Sequence, residues 1–128
     1  MGIIMGLFDK FKKNTDKNNE YSELDCSKVL NDNDVDKYIK LGQLKWIYVL
    51  SPIFGGAEDR SNQILVTSGA DKEKQLVDEE LINFLKQGKS VKKLKMNFEY
   101  KKKSLVVSKI FISAIVDEND YNKVIEVW

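Results

Sequence analysis

The chain has no histidine, one cysteine, one proline and one arginine among its 128 residues. Each scarcity removes a class of function. Without histidine there is no imidazole to act as general base, metal ligand or charge switch near neutral pH. The lone cysteine, Cys26, can neither close an internal disulfide nor supply a zinc site. With no imidazole to deprotonate it, Cys26 reads as a small, half-buried apolar residue rather than a nucleophile. No apolar run approaches the roughly 20 residues of a membrane-crossing helix. The opening "MGIIMGLFDKFKK" places apolar residues before basic ones, the reverse of a secretory signal. Gly6 stands where a myristoylation pattern carries Ser or Thr. Arg60 is outnumbered by 20 lysines, and with ten asparagines this reads as the coding bias of an AT-rich genome.

What remains is a composition of 42% hydrophobic and 32% charged residues with a net charge of +1, that of a single soluble, cytoplasmic globular domain. Residues 1–20 form an amphipathic and flexible segment, and residues 21–128 a single α+β domain. From Met5 onward, Leu7, Phe8 and Phe11 fall on one face of a short helix ringed by Lys10, Lys12 and Lys13. Residues 5–13 read either as a membrane-surface or partner-docking helix or as a short helix that packs on its own domain or frays. "NTDKNNE", residues 14–20, is a polar linker.

Ser22 opens a short helix carrying Leu24, Val29 and Leu30. "NDND" breaks it and caps a second one, with Val35, Tyr38 and Ile39, that stops at Gly42. "LKWIYVLS" (44–51) is apolar almost throughout and predicts a strand covered on both faces, ended by Pro52. "NQILVTS" (62–68) is the second strand. Ser68 and Asp71 have capping-box spacing, and Val77, Leu81, Phe84 and Leu85 make one apolar stripe. Together they predict a main helix over about 71–87, closed by Gly88. In "VKKLKMNFEYK", Leu94, Met96, Phe98 and Tyr100 alternate with Lys93, Lys95, Asn97 and Glu99, which predicts a half-exposed antiparallel strand with the first four in the core. "KKKS" turns into "LVVSKIFISAIV" (105–116), a hairpin whose tip exposes Lys101, Lys102 and Lys103 without internal partners. "DENDYN" turns again into "KVIEVW". The fold class is therefore α+β: a mainly antiparallel sheet of about five strands, in the order α-α-β-β-α-β-β-β, with the main helix packed on one face.

The stretch "IFGGAEDRSN" (53–62) joins two strands. A phosphate loop needs glycines that lead straight into a helix, followed by Lys and Ser or Thr; here they lead into charges and a strand. Glu58 and Asp59 are adjacent, not spaced as in a calcium loop. Asp59 can cap or pair with Arg60, and Asn62 can close the turn on the backbone. As an exposed Gly-rich charged loop, Gly55, Gly56, Glu58, Asp59, Arg60 and Asn62 are also the first candidates for recognition. The pattern F-G-G-x-E-D-x-x-N over 54–62, followed by "EYKKKS", "SKIFISA" and a final Trp128, resembles a loop and its sequel in small bacterial α+β proteins, over about the last two-thirds of the chain. Some proteins of this sort are immunity partners of bacterial toxins; the resemblance implies that role and no catalytic chemistry.

Charge is unevenly spread. From Lys86 to Lys109 there are nine lysines and one acid, Glu99, whereas residues 14–36 hold seven acids and two lysines. Lys92, Lys93, Lys95, Lys101, Lys102 and Lys103 make a candidate basic patch for an acidic protein or for nucleic acid, or else a solvated face that guards a strand edge. No acids are spaced for a buried pair and no nucleophile sits beside a base, so no catalytic residue, metal or cofactor is indicated. The expectation is a non-enzymatic protein-interaction domain of immunity type. Alternatives are a nucleic-acid-binding module using the basic segment, or a peripheral membrane protein held by its N-terminal segment.

Overall fold

The computed structural model describes residues 24–128. The Ser22 cap, the polar linker and the amphipathic segment at 5–13 lie outside the described residues. In place of a first helix there is a single 3-10 turn, Cys26–Lys28, capped by Asp25, whose carboxylate accepts from the Ser27 amide. The first α-helix, α1, spans Asp32–Lys40. Asn31 caps it by accepting from the Asp34 amide, and Asp34 accepts in turn from the Leu30 amide, so two amides without helical partners are satisfied by neighbouring side chains. Asp32 and Asp34 in the first turn and Lys37 and Lys40 in the last suit the helix dipole.

Strand β1 (Leu44–Tyr48) pairs antiparallel with β2 (Gln63–Thr67). The second helix, α2, spans Ser68–Lys86 and is followed by β3 (Val91–Tyr100), β4 (Val107–Val116) and β5 (Asn119–Glu126). The last strand starts four residues before the expected "KVIEVW". These five antiparallel strands do not share one sheet. β1 and β2 form one, and β3-β4-β5 form a second, in chain order.

Helix α2 begins three residues before the predicted Asp71, because Thr67, not Ser68, is its cap: the Thr67 hydroxyl accepts from the Ala70 amide. Ser68 is used elsewhere, donating from Oγ to Gly42 O at 2.5 Å. Ala70, Val77 and Leu81 turn to the core, and Phe84 packs at its margin; Leu85 is 46% exposed and leaves the stripe. Gly88 ends the helix at φ 83°, with the Lys89 amide bonded back to Phe84 O.

The main core lies where α2 meets both sheets: Ile64 and Val66 of β2, Ile110 and Ile112 of β4 and Ile125 of β5 close around Val77 and Leu81. A second cluster, Cys26, Val29, Val35, Leu44, Leu65 and Val106, fills the other side of the small sheet under α1. So β2, with Ile64, Leu65 and Val66 all buried, is the strand covered on both faces, a role the sequence suggested for β1. β1 is half-buried beyond Leu44, stops at Tyr48 and lies at a sheet edge. Among the described residues no helix is long and apolar enough to cross a membrane.

In the larger sheet the register assigns two faces. Ile110, Ile112 and Ala114, with Ile125, Lys123 and Tyr121 opposite them, face α2. There Tyr121 stacks edge-on to Phe84 at 5.8 Å and donates to Glu80. The outer face carries Lys109, Phe111, Ser113 and Ile115 along β4, flanked by Lys92, Lys95, Asn97 and Glu99 on β3 and by Asp120, Asn122, Val124 and Glu126 on β5.

Candidate functional site

The loop between β1 and β2 is built by its own side chains. Pro52–Phe54 and Arg60–Asn62 are single 3-10 turns, the first ending on Gly55 at φ 94°. Gly56 is needed for space rather than for a positive φ: a Cβ there would stand 1.8 Å from Leu50 O. Asn62 clamps the loop mouth, accepting from the Leu50 amide at 3.0 Å and donating to Leu50 O at 2.7 Å and Ala57 O at 2.9 Å. Asp59 caps the second turn by accepting from the Ser61 amide and hydroxyl. The Ser61 hydroxyl and amide bonds hold the Asp59 carboxyl below its usual pKa. Arg60 lies over the Trp46 ring at 4.1 Å, a cation–π contact. Of the six candidate recognition residues, Gly55, Gly56, Asp59, Arg60 and Asn62 thus have structural tasks, and Glu58 is exposed.

The structure divides the six lysines. Lys92 and Lys95 stand on the outer face of the larger sheet, opposite Ile115 and Ser113. Lys93, at φ 54°, sits in a bulge between them. Lys101, Lys102 and Lys103 lie in the turn after β3; at the rise of a strand, the nine residues from Lys92 to Lys101 span about 30 Å. All three turn lysines are exposed, but Lys101 is not without partners: it donates to Trp128 O at 2.8 Å and lies 5.3 Å from the Trp128 ring centre. The expectation of a tip free of internal contacts fails there because the last residues fold back beside the turn, with Val127 N donating to Ser108 O and Trp128 Nε1 to Val106 O. Lys102 lies near Asp25, whose carboxyl is held low first by the bonds from Ser27 and then by Lys28 and Lys102.

A second expectation fails on the same strand. Leu94 and Met96 pack against the core, but Phe98 is 39% and Tyr100 51% exposed. Their rings meet edge to face at 6.0 Å. The alternation placed all four on one side correctly; the core packing on that side ends at Met96. An exposed aromatic pair therefore adjoins the three turn lysines.

Sequence reasoning missed a charged cleft between α2 and β1. Lys74 is 3% exposed, and its ammonium donates to both oxygens of Asp78, at 2.9 and 3.1 Å. Asp71, also buried, accepts from Gln75 Nε2 at 3.1 Å and lies 3.4 Å from Lys45. Asp71, Lys74, Gln75 and Asp78, with Trp46 and Tyr48, line a cavity of about 240 Å³. The signal was in the sequence: the helix stripe, continued back from Val77, passes through Lys74 before Ala70. The lining holds two acids and one lysine, and Lys45 beside Asp71 supplies the second positive charge.

Cys26 is 3% exposed, and burial, aided by the charge of Asp25, pushes its thiol up to about 11. At neutral pH it carries no thiolate to act as a nucleophile. Among the described residues no three acids or cysteines converge on a metal position. No protein-family model matches the chain, and no curated protein matches it significantly.

Proposed function

We propose that the chain is a non-enzymatic, cytoplasmic protein-interaction domain whose partner is an acidic protein, met by the far end of β3 and the lysine turn behind it. The observation that carries this reading is the Phe98–Tyr100 pair, exposed on an edge strand and adjoined by Lys101, Lys102 and Lys103. Aromatic side chains anchor interfaces because they bury much area for few rotatable bonds, and a lysine rim speeds encounter with a negative surface. The concrete form, an immunity-type protein against a bacterial toxin, follows the resemblance carried by the 54–62 loop.

The same exposed rings support a second reading, a platform on which unpaired bases stack while lysines neutralise phosphates. The protein reading ranks first because the segment has no arginine, the residue that forks onto phosphate and stacks on bases.

The test takes a partner captured by cross-linking in its native cells and purified. Phe98→Ala and Tyr100→Ala should each weaken that complex about tenfold. Changing the three turn lysines to Ser should slow association and flatten its salt dependence. Full affinity in the doubly aromatic-deleted variant would place the interface elsewhere. Tight, sequence-indifferent retention of single-stranded oligonucleotides, falling steeply with salt, would hand the site to nucleic acid.

A further inference from the structure

We infer that the open edge of β1 takes up an extended peptide as an added strand, and that a basic side chain of that peptide reaches Asp71 in the cleft over α2. The ladder between β1 and β2 fixes which backbone groups are spare. At its two ends Ser68 N donates to Gln43 O and Val49 N donates to Asn62 O. The register runs between these bonds without a shift. In an antiparallel pair, bonded and non-bonded residues alternate. Lys45 and Ile47 are therefore bonded to β2, whereas Trp46 and Tyr48 turn their N–H and C=O groups outward. Among the described residues no strand meets that edge. Two donors and two acceptors in a row, with a repeat of about 7 Å, are matched by extended backbone. The outer edge of β3 is by contrast interrupted by the bulge at Lys93.

The cavity beside α2 lies along the same edge, since it touches Trp46, Ile47 and Tyr48 in succession. Side chains of an added strand alternate, so every second one points to the side where Ile47 packs with α2. What it meets there is acidic. The lining holds Asp71 and Asp78 against Lys74 alone, and Lys74 is already bonded to both oxygens of Asp78. Asp71 is the group left under-used. It is 8% exposed, yet it accepts one described hydrogen bond, from Gln75, where a carboxylate can accept about four. Its neighbour Lys45 is 3.4 Å away with a side chain 56% exposed, a loose pair that can swing to water at little cost. An arginine or lysine entering along the edge takes that place and bonds the carboxylate away from solvent. This surface shares no residue with the Phe98–Tyr100 pair and its lysine turn.

The probe is a blocked heptapeptide of alternating Thr and Val with a central Arg, titrated into the isotope-labelled full chain. The amides of Trp46 and Tyr48 should shift together and gain protection from hydrogen exchange, with a dissociation constant on the order of 100 µM. A central Glu should weaken binding tenfold or more. Asp71→Asn should weaken the Arg peptide about tenfold, with the spectrum showing the variant folded. Methylating the backbone nitrogens of one alternate set of peptide residues should abolish binding, and of the other set leave it, because an added strand turns every second N–H towards β1. That pattern is read on the unaltered protein. No shift at Trp46 and Tyr48 up to about 5 mM peptide overturns the inference. So do equal effects of the two methylated sets, and so does binding indifferent to the central charge. Protection of both amides in the free chain overturns it too, since the edge would then already be filled.

Discussion

Removing the carboxylate of Asp78 should damage the protein far more than removing the lysine it holds. The Lys74 side chain is 4% exposed and that of Asp78 is 21% exposed, so the two partners do not share desolvation equally. In Asp78→Ala the Lys74 ammonium loses both of its described hydrogen-bond acceptors and stays within the core stripe of α2. Stranding one member of a buried ion pair costs about 3 to 5 kcal/mol. Lys74→Met keeps an unbranched apolar stem of similar length and removes the charge. Asp78 is then left near the surface, where it can turn to water, and the net change should lie within about 1 kcal/mol of zero. At roughly 4 °C per kcal/mol for a domain of this size, the two variants should melt about 8 °C or more apart. Urea titration supplies the free energies, with an unchanged slope confirming that both variants unfold from the same native state. If Lys74→Met proves the more damaging of the two, or if they differ by less than about 0.5 kcal/mol, the pair is a net source of stability and the reasoning from unequal burial is wrong.

Leu81→Ala should cost about 3 to 5 kcal/mol, since Leu81 is fully buried, while Leu85→Ala, 46% exposed, should cost under about 1; equal losses in chemical denaturation would mean α2 is rotated from the position described. Gly56→Ala should destabilise by more than about 2 kcal/mol, because the new methyl meets the carbonyl oxygen of Leu50, whereas Gly69→Ala, in open space within the first turn of α2, should stabilise by about 0.5 to 1. Two thermal melts decide between them. The Cys26 thiol should react slowly with a disulfide reagent at pH 8 until urea is added. Its folded pKa is raised above the unfolded value, so the native state holds the proton longer, and stability should fall as pH rises from about 9 towards about 11. Cys26→Ala should flatten that fall, and an unchanged pH profile would show that the thiol is not its source.

Much of this architecture could be read from local pattern. Gly42 and Gly88 stop their helices, the stripe of Val77, Leu81 and Phe84 finds the sheets, and Asp59 and Asn62 perform the turn chemistry that their residue types favour. What escaped depends on residues distant in sequence. Alternation along β3 shows which way Phe98 and Tyr100 point but not where the core stops covering that side. Apolarity marked β1 as a two-sided strand, yet double coverage fell to β2, because α1 and α2 pack against opposite faces of the small sheet. The separation of the five strands into two sheets depends on α2 and the turn to β3 carrying the chain away from β2, which no strand pattern encodes. The buried Lys74 was legible, but only by following the helix stripe through a charged residue.

Among the described residues every strand is hydrogen-bonded only to strands next to it along the chain. Each pairing therefore closes one connection, and the turn between β4 and β5 is two residues, Asp117 and Glu118, both at positive φ. Loop closure is the entropic toll on folding speed, and here each ladder meets it separately and locally. The meander β3-β4-β5 and the β1-β2 ribbon can each zip without waiting for the other. What must then be assembled over distance is side-chain contact, chiefly Ile64 and Val66 against Ile110 and Ile112 with Leu81 between them. The step expected to limit folding is accordingly the closing of the two sheets on one helix. Substitutions at Leu81 should register in the folding rate, and those within the β4–β5 turn in the steps before it.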